Sequence, residues 1–525
     1  MTTQSRHFAI VAGAIVFGAC KVGPEYEPPE VSVAENWAGT EDPRVRTESA
    51  DHSSWWDAFE DPTLTELIVL AHEQNLSLRV AGIRIMEARA ELGRAEGNLY
   101  PQVQKGFGSY SRIDLSGEAN PVPISGLPLA GDTDGTFDNF QLGVGAVWEL
   151  DLWGRFRRGI DAADAMYVAS VATYDDLLIT LTAEVAISFV AVRTLEERLA
   201  LARRNVEIQQ SSLELAESRF QNGVTSELDV TQARALLGTT RALVPMLATS
   251  LRQARNGLAI LLGRRSDQIA ELLGGPGGIP TTPRSVAIGI PADLVRRRPD
   301  IRLAELQAIA QCAKIGIAKA DLLPKFGLGG AFGVSAKDSG DLFGGDSETS
   351  FFGPFFTWDI LNYGRIKNNV RAQDAKFQAL LVNYQERVLR AQREVEDSLV
   401  GFLGSQEQVD ALSEAVTAAE RSVELAMNQY RQGSAPYTRV LDTQQFLTRQ
   451  QDLLTVSRGG VCRNLIGLYR ALGGGWQIRQ GKGFVPEEIQ QEMRDRTNWG
   501  DLLEDAQEGP DQDADPMSTE GASDE

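Results

Sequence analysis

Two hydrophobic periods alternate along the chain and predict two kinds of element. Apolar residues that recur every three or four positions, as they do from Leu64 to Leu92, predict an amphipathic helix over about residues 57–99. Apolar residues at every second position, as from Phe140 to Trp148, predict a strand with one apolar face. The same succession of helix, two strands and long helices returns in the second half of the chain.

Two proline-free segments, from about 154 to 221 and from about 364 to 432, predict helices of great length. In the first segment, apolar residues step by three, four or seven, the heptad spacing with which one helix packs against another. At 1.5 Å per residue, each helix would extend roughly 100 Å. A glycine ends each helix, and a second helix completes a hairpin, over about 227–262 in the first case and to about 472 in the second.

Matching glycines lie 210 residues apart in the two halves. The pairs are Gly154 and Gly364, Gly223 and Gly433, and Gly263 and Gly473. This constant spacing predicts an internal duplication of helix, two strands and helical hairpin. The predicted organisation is a signal peptide (1–19), a tether (20–56), a first repeat (57–273), a linker (274–290), a second repeat (291–475) and an acidic disordered tail (476–525). Each repeat opens with a helix, and the second opens with one over about 291–323.

Four amphipathic strands raise a problem of exposure. They are predicted over about 103–113, 140–152, 325–337 and 350–360, and their apolar faces carry Phe140, Trp148, Phe332, Phe356 and Trp358. In water such faces would aggregate, whereas alternation with one lipid-facing side is typical of a membrane β-barrel. Four strands cannot close a barrel, and open sheet edges are not tolerated in lipid. The predicted fold is therefore an α+β membrane protein whose copies pool their strands.

The N-terminus predicts export. Arg6, an apolar run and then Gly18-Ala19-Cys20 are typical of a secretory signal, and a cysteine in this position is typical of a bacterial lipoprotein. The alternative is an ordinary signal peptide with a chance cysteine. Beyond this signal, no segment predicts a transmembrane helix. Cys312 and Cys462 fall in helical patterns, where they would either pair or serve as small core residues.

Charge and composition exclude several classes of function. The net charge is −21. From residue 484 onward the chain has 14 acidic residues and only two arginines, which predicts a solvated tail or, alternatively, an acidic interaction tail. The sequence has no basic patch with interleaved aromatic residues, so nothing in it indicates binding to nucleic acid. With three scattered histidines and no catalytic motif, the sequence predicts no metal, no cofactor and no enzyme.

Several segments, in this order and spacing, resemble the TolC-like outer-membrane efflux proteins, most closely their lipid-anchored OprM/NodT-like branch. They are CKVGPEYEPP (20–29), WWDAFEDPTLTELIVLAHEQN (55–75), LVRRRPDIRLAE (294–305) and the two strand-to-helix corners WELDLWGR (148–155) and WDILNYGR (358–365). The resemblance implies a homotrimer, with a twelve-stranded β-barrel in the outer membrane and an α-barrel tunnel in the periplasm. It also implies that Cys20 carries lipid such as palmitate.

In function, the resemblance implies a passive exit duct for drugs and other toxic small molecules. Its implied partners are a periplasmic adaptor protein, an inner-membrane pump of the RND type and outer-membrane lipid. A duct for type I protein secretion or for metal ions is the nearer alternative, and a secreted enzyme is the distant one.

The resemblance places two sites on the hairpins. The adaptor would touch the tips, at Gly223, Val224 and Thr225 in the first repeat and at Gly433, Ser434 and Ala435 in the second. The alternative is that these residues only make tight turns. A periplasmic gate would lie just beyond the second tip, with Asp442 facing the pore.

Two residues near Asp442 depart from the family pattern at the gate. Arg439 stands where some members have an acid, and Thr438 stands at the common apolar constriction. Arg439 and Asp442 could pair, within one chain or between chains, or form an exposed ion pair of little value. Asp229, in the corresponding region of the first repeat, is a weaker candidate.

Overall fold

The computed structural model describes residues 21–34, 36–48, 51–114 and 136–503. In chain order the helices are α1 (Pro62–Gln74), α2 (Leu76–Gly97), α3 (Arg155–Gln221), α4 (Glu227–Leu261), α5 (Ile269–Leu272), α6 (Pro291–Arg297), α7 (Pro299–Ala320), α8 (Arg365–Arg431), α9 (Tyr437–Ala471) and α10 (Glu487–Arg496). The strands are β1 (Val45–Arg46), β2 (Val103–Asp114), β3 (Thr136–Leu150), β4 (Val286–Ala287), β5 (Lys325–Ala336) and β6 (Glu348–Thr357).

The internal duplication is confirmed element by element. Helices α3 and α8 are both 67 residues long, and α4 and α9 are both 35 residues long. Helix α8 begins 210 residues after α3, and α9 begins 210 residues after α4, so the predicted glycine spacing is also the spacing of the hairpins. At 1.5 Å per residue, α3 and α8 are each about 100 Å long.

The four long strands form one antiparallel sheet in the order β2-β3-β5-β6. Its ladders place Trp148 opposite Leu328 and Phe332 opposite Ser350, so the predicted apolar residues share one face. The opposite face carries Lys105, Gln141 and Glu149 among its residues. One apolar and one mixed face agree with the predicted lipid-facing sheet. The outer edges of β2 and β6 pair with no other described strand.

Two predicted helices are each broken in two, which corrects the sequence-based bounds. The first stops at Asn75, whose side chain donates to Leu261 O at 2.8 Å and accepts from Leu78 N at 2.9 Å. The second stops at Arg298, which is extended because Pro299 follows it. A side-chain cap and a proline thus interrupt hydrophobic patterns that continue across both breaks.

The chain forms two compact units. Among the described residues, one comprises residues 21–28, 88–114, 136–167 and 307–380, and the other comprises residues 29–87, 168–306 and 381–503. Helices α3 and α8 contribute to both. By length and composition, one segment of α3 is apolar enough to cross a membrane, although the hydropathy pattern predicted no transmembrane helix beyond the signal. About two thirds of that segment is buried inside the protein, as expected for a core helix.

Much of the predicted tether lies along helix α8. The backbone N–H groups of Ala34 and Ala38 donate to the side chains of Gln392 and Glu396, and Arg44 pairs with Glu407 at 2.9 Å. Strand β1 then pairs in parallel with β4 of the predicted linker. The Pro-rich composition therefore predicted an extended chain correctly but not the helix on which it lies.

The predicted disordered tail is wrong for its first 28 residues. From 476 to 503 the chain forms α10 and two short 3₁₀ helices, and it buries Phe484, Val485, Met493 and Leu503. Phe484 packs edge-on against Tyr174 with ring centroids 5.2 Å apart. Four buried apolar side chains hold this segment despite its acidic composition. Residues 504–525 lie outside the described residues.

The two helical cysteines are free and buried. Burial raises the pKa of both thiols, that of Cys462 to about 12, so neither is a reactive thiolate. Of the two alternatives, the structure supports small core residues. Cys20 lies outside the described residues, but the chain directly after it is fixed. Val22 N donates to Trp153 O at 3.1 Å, and Arg158 pairs with Glu25.

Candidate functional site: the tips of the two helical hairpins

Both hairpins turn in the same way. Gly223 and Gly433 have φ angles of 73° and 74°, in the left-handed region that favours glycine. The N–H of the next residue closes each helix: Val224 N donates to Arg219 O at 2.9 Å, and Ser434 N donates to Gln429 O at 2.9 Å. The predicted role of these glycines in tight turns is therefore confirmed.

The predicted tip residues are accessible to a partner. Gly223, Val224, Gly433 and Ser434 are exposed, while Thr225 and Ala435 are half-buried. The first tip also exposes apolar side chains, with Val224 59% and Leu228 60% exposed. The second tip presents small residues, so the two tips offer different surfaces.

A shared apolar cluster joins the two hairpins beneath their tips. It contains Leu213, Ala216, Val230, Ala233, Leu237, Ala426, Tyr430, Tyr437 and Val440, which come from all four hairpin helices. Its centre is the pair Tyr430 and Tyr437, whose rings meet edge to face with centroids 5.2 Å apart. The two tips within one chain are therefore packed as a single block.

One carboxylate joins the tips above this cluster. Asp229 accepts hydrogen bonds from the hydroxyl of Thr225, in its own turn, and from the hydroxyl of Tyr430, at 3.4 Å, in the other hairpin. Arg219 completes the contact, because its guanidinium lies 4.8 Å from the centre of the Tyr430 ring and donates to Arg431 O at 3.0 Å. We call Thr225, Asp229, Arg219 and Tyr430 the tip latch.

Both tyrosines remain protonated at any physiological pH. Burial raises the pKa of Tyr437 to about 12. Burial also raises the pKa of Tyr430, and the charge of Asp229 acts in the same direction, against the Thr225 hydrogen bond and Arg219. The Tyr430 hydroxyl therefore keeps the proton that it donates to Asp229.

The predicted gate residues lie on the first turns of α9, on its exposed side. Thr438, Arg439 and Asp442 are accessible to solvent, as is Phe446 one turn further on. Within the described part of this single chain, no ion pair joins Arg439 to Asp442. Of the alternatives for this pair, pairing inside one chain is thus absent there, and the exposure of Asp442 leaves its predicted position facing the pore a prediction.

Polar pairs continue the junction of α3 and α9 away from the tips. Gln444 donates to Ser212 Oγ at 2.7 Å, and Asn205 donates to Gln451 at 3.2 Å. Arg198 then makes a two-point ion pair with Asp452, at 2.7 and 3.0 Å. The positions on α3 are seven residues apart, so this ladder follows the heptad seam.

Sequence reasoning missed most of the tip latch. It weighed Asp229 only as a weak candidate and did not single out Tyr430, Tyr437 or Arg219. The missed signal is a difference between the repeats, because Tyr430 stands where the first repeat has Phe220, which is 44% exposed. Among the residues that the structure describes, no cluster of His, Cys, Asp and Glu fits a metal ion.

Comparison with known proteins gives one consistent family. The profile of the family described as Outer membrane efflux protein matches residues 67–264 and 290–474, which cover most of both repeats. The pyoverdine export outer membrane protein OpmQ of Pseudomonas putida is 30% identical over 90% of this chain and 98% of its own length. The toluene efflux pump outer membrane protein TtgF of Pseudomonas putida is 31% identical over 90% of this chain and 97% of its own.

Solved structures give the same result. The outer-membrane channel OprN aligns with a TM-score of 0.80 and 31% identity, covering 87% of this chain and all of that chain. The fold of the chain is therefore that of an outer-membrane channel.

Proposed function

The chain belongs to the outer membrane efflux protein family, and from that premise we propose that it is the passive, trimeric exit duct of a three-component efflux pump. Its efflux role and outer-membrane location follow from the family. The trimer, the named partners, the gate and the lipid anchor are the proposed parts. The observation that carries the proposal is that one chain combines a lipid-compatible sheet with two helical hairpins, each of which contains a helix about 100 Å long.

A homotrimer is supported by the sheet. Four strands whose outer edges pair with no other described strand cannot close, and three copies supply the twelve strands of a barrel with an aqueous interior. The exposed tips then offer a surface to a partner. We assign this role to a periplasmic adaptor protein, which contacts Val224, Leu228 and the small residues of the second tip. The adaptor connects the duct to an inner-membrane pump of the RND type.

The tip latch and Asp442 together form the proposed gate. In the resting state the latch holds the second hairpin of each chain against the first. Three copies of Asp442 narrow the entrance, with Thr438 beside them. Since Arg439 has no acidic partner among the described residues of its own chain, we propose that it pairs with Asp442 of a neighbouring copy. Binding of the adaptor opens the gate by separating the hairpins at their tips.

The lipid anchor is supported by the residues that come directly after Cys20. Val22 and Glu25 are fixed against the start of α3, at the corner between β3 and that helix. A lipid on Cys20 would thus lie beside the ends of the strands. Mass spectrometry of the mature N-terminus tests this point, and an unmodified N-terminus that begins elsewhere than at residue 20 contradicts it.

The cargo is a small molecule, and its identity depends on the pump. The relatives OpmQ and TtgF are almost equally similar to this chain, yet their names give two different cargoes, pyoverdine and toluene. Two ducts that resemble this chain equally thus serve exporters of unlike molecules, so the resemblance does not identify the cargo.

Export by the native host tests the proposal. A deletion strain should accumulate a panel of fluorescent drug-like dyes, and the wild-type gene should restore efflux. Val224→Asp changes only an exposed tip side chain, so it should leave the protein in the outer membrane but reduce efflux. Lys482→Ala, away from the tips, is the matched control with normal efflux. Full efflux with Val224→Asp would contradict the adaptor contact, and normal efflux in the deletion strain would contradict the function.

A further inference from the structure

We propose that a cavity of the first hairpin, at the place where α9 of the second hairpin packs against it, binds a small amphiphilic organic anion such as an aromatic carboxylate. The cavity has a volume of about 320 Å³ and lies between α3, α4 and α9. We call it the hairpin cavity. Its place in the wall of the duct rests on the proposed function, whereas the binding of the anion does not.

The hairpin cavity has the size and the lining of a small-molecule site. Pockets that bind small organic molecules have volumes of about 300–1,000 Å³ and mostly apolar walls. Here the buried side chains of Leu236 and Leu247 and the half-buried side chain of Leu201 form part of the wall. Met246 is exposed beside them, and its flexible thioether adapts to ligands of different shape. This wall fits an aromatic or aliphatic body.

The cavity lies at an interruption in the hydrogen bonding of α4. Pro245 is inside this helix and has no N–H to donate to the preceding turn. Leu243, Met246 and Leu247, which flank Pro245 in sequence, all line the cavity. The equivalent position of α9, 210 residues later, is Thr455, which keeps its backbone N–H. The duplication therefore does not carry this feature into the second hairpin.

A buried hydroxyl without a partner lines the cavity. Thr240 is 2% exposed, and within the described part of the chain its hydroxyl makes no hydrogen bond. Two other threonines of the lining differ, because Thr239 donates to Ala235 O at 3.0 Å and Thr448 donates to Gln444 O at 2.9 Å. Buried hydroxyls nearly always have a partner. A polar group that enters the cavity is therefore the expected partner of Thr240.

The charges of the lining favour an anion. The cavity has three charged residues, of which Arg198 and Asp452 compensate each other through hydrogen bonds of 2.7 and 3.0 Å. The third, Arg449, is exposed and forms no ion pair with any residue that the structure describes. A guanidinium binds a carboxylate through two parallel hydrogen bonds. Arg449 therefore supplies the charge that selects an anion over a neutral molecule.

Arg449 also relates the cavity to the proposed gate. It follows Asp442 by seven residues on α9, so the two share a face of the helix and lie roughly 10 Å apart along its axis. Phe446, between them, is 53% exposed. Since we place Asp442 in the pore, the cavity opens onto the tunnel one heptad beyond the gate. An anionic cargo molecule that the Asp442 carboxylates repel is held there by Arg449.

Binding of 6-hydroxy-2-naphthoate to the full-length protein in lipid nanodiscs tests the site. Isothermal titration calorimetry, corrected with empty nanodiscs, should show saturable binding to the wild type. The neutral 6-hydroxy-2-naphthamide should bind about tenfold more weakly or worse, because it lacks the charge-assisted contact with Arg449.

Three variants locate the site. Arg449→Gln should weaken the naphthoate about tenfold or more and change the amide little. Thr240→Val keeps the shape of the side chain, removes the hydroxyl and should weaken both molecules several-fold. Thr239→Trp fills the cavity from an exposed position and should abolish binding of both.

Arg463→Gln is the matched control, because it removes the same charge from the same face of α9, two heptads beyond Arg449 and outside the cavity. It should bind the naphthoate as the wild type does. No saturable binding to the wild type, an equal loss in the two arginine variants, or full binding by Thr239→Trp overturns the site. Equal affinity for the naphthoate and the amide overturns the choice of an anion, and full binding by Thr240→Val overturns the role of its hydroxyl.

Two further measurements separate this inference from the proposed function. Saturating naphthoate should lower the single-channel current of the wild type in planar bilayers but not that of Arg449→Gln, and binding with no effect on the current overturns the place of the site in the tunnel wall. Absence of binding to a protein that restores dye efflux overturns the hairpin cavity and leaves the duct intact. Binding to a protein that restores no efflux supports the cavity and contradicts the duct.

Discussion

Tyr430 of the second hairpin donates its hydroxyl to Asp229 of the first at 3.4 Å, directly beneath the two tips. The two residues belong to different repeats, and only the duplicated fold brings them together. Tyr430 is itself buried, whereas Asp229 lies at the edge of the apolar cluster and also binds Thr225. A long, charge-assisted hydrogen bond in this position is a contact that a partner could break at modest cost.

Removing the Tyr430 hydroxyl should weaken the resting gate. Tyr430→Phe keeps the ring in the cluster and removes one hydrogen bond, whose net value is about 0.5–1.5 kcal/mol. Such a change shifts a closed-to-open equilibrium by up to about tenfold. We expect greater susceptibility to a large polar antibiotic that the intact outer membrane excludes. Tyr437→Phe is the control, since no hydrogen bond from its hydroxyl is found among the described residues.

Neutralising Asp442 should change ion selectivity. Three like charges in a narrow entrance attract cations and slow anions. Asp442→Asn keeps the shape of the side chain and removes the charge, so the preference for potassium over chloride in planar bilayers should fall. Asp341→Asn, in the exposed connection between β5 and β6, is the control. An unchanged reversal potential in a salt gradient would show that Asp442 does not face the pore.

Two truncations should show which part of the C-terminal segment the folded protein needs. A chain that ends at Leu503 keeps every buried residue of the segment and should assemble and export normally. A chain that ends at Gly483 loses Phe484 and its contact with Tyr174 and should be unstable or absent from the membrane. Phe484→Ala should cost about 3–5 kcal/mol, measured as a lower thermal unfolding temperature in detergent. Equal stability of both truncations would contradict the packing.

Acid should destabilise the folded chain through His72. Burial, with the nearby charge of Lys482, lowers the pKa of His72 from 6.5 to about 4, so the folded state keeps this ring neutral. Below pH 6.5 the His72 ring is protonated in the unfolded chain, whereas in the folded chain it is protonated only below about pH 4. Stability should therefore fall in this range by about 1.4 kcal/mol for each pH unit.

His72→Leu removes this titration. The unfolding temperature of the variant should depend less steeply on pH between 6.5 and 4 than that of the wild type. Identical slopes for the two proteins would exclude His72 as a source of acid sensitivity. Each protein is compared with itself at different pH values, so a difference in absolute stability between the variant and the wild type does not affect the result.

The repeated elements were predictable from the sequence because glycines recur at the same positions in both repeats. A glycine ends each long helix in a left-handed turn, so Gly223 and Gly433 located the tips to the residue. The alternating strands were equally visible, since one face of the sheet is apolar and the other is mixed.

The break at Asn75 and the tip latch depend on contacts between distant parts of the chain and were missed. The break at Arg298 is different, because Pro299 marks it in the sequence and the prediction passed over it. Asn75 ends α1 by bonding to Leu261, 186 residues away, and no local pattern announces that partner. Tyr430 meets Asp229 from the other repeat. Composition was misleading for residues 476–503, where Phe484 and three other apolar residues outweigh many charges.

The single-channel conductance of the purified full-length protein in planar lipid bilayers tests the central claim most directly. The wild type should insert as one trimeric channel of small conductance, limited by its closed tips. The double variant Asp229→Asn/Tyr430→Phe should conduct several-fold more at the same voltage, because the tip latch is lost while the strands and the tunnel remain. Equal conductance of the two proteins, with both correctly assembled, would contradict a duct that is held closed at its tips.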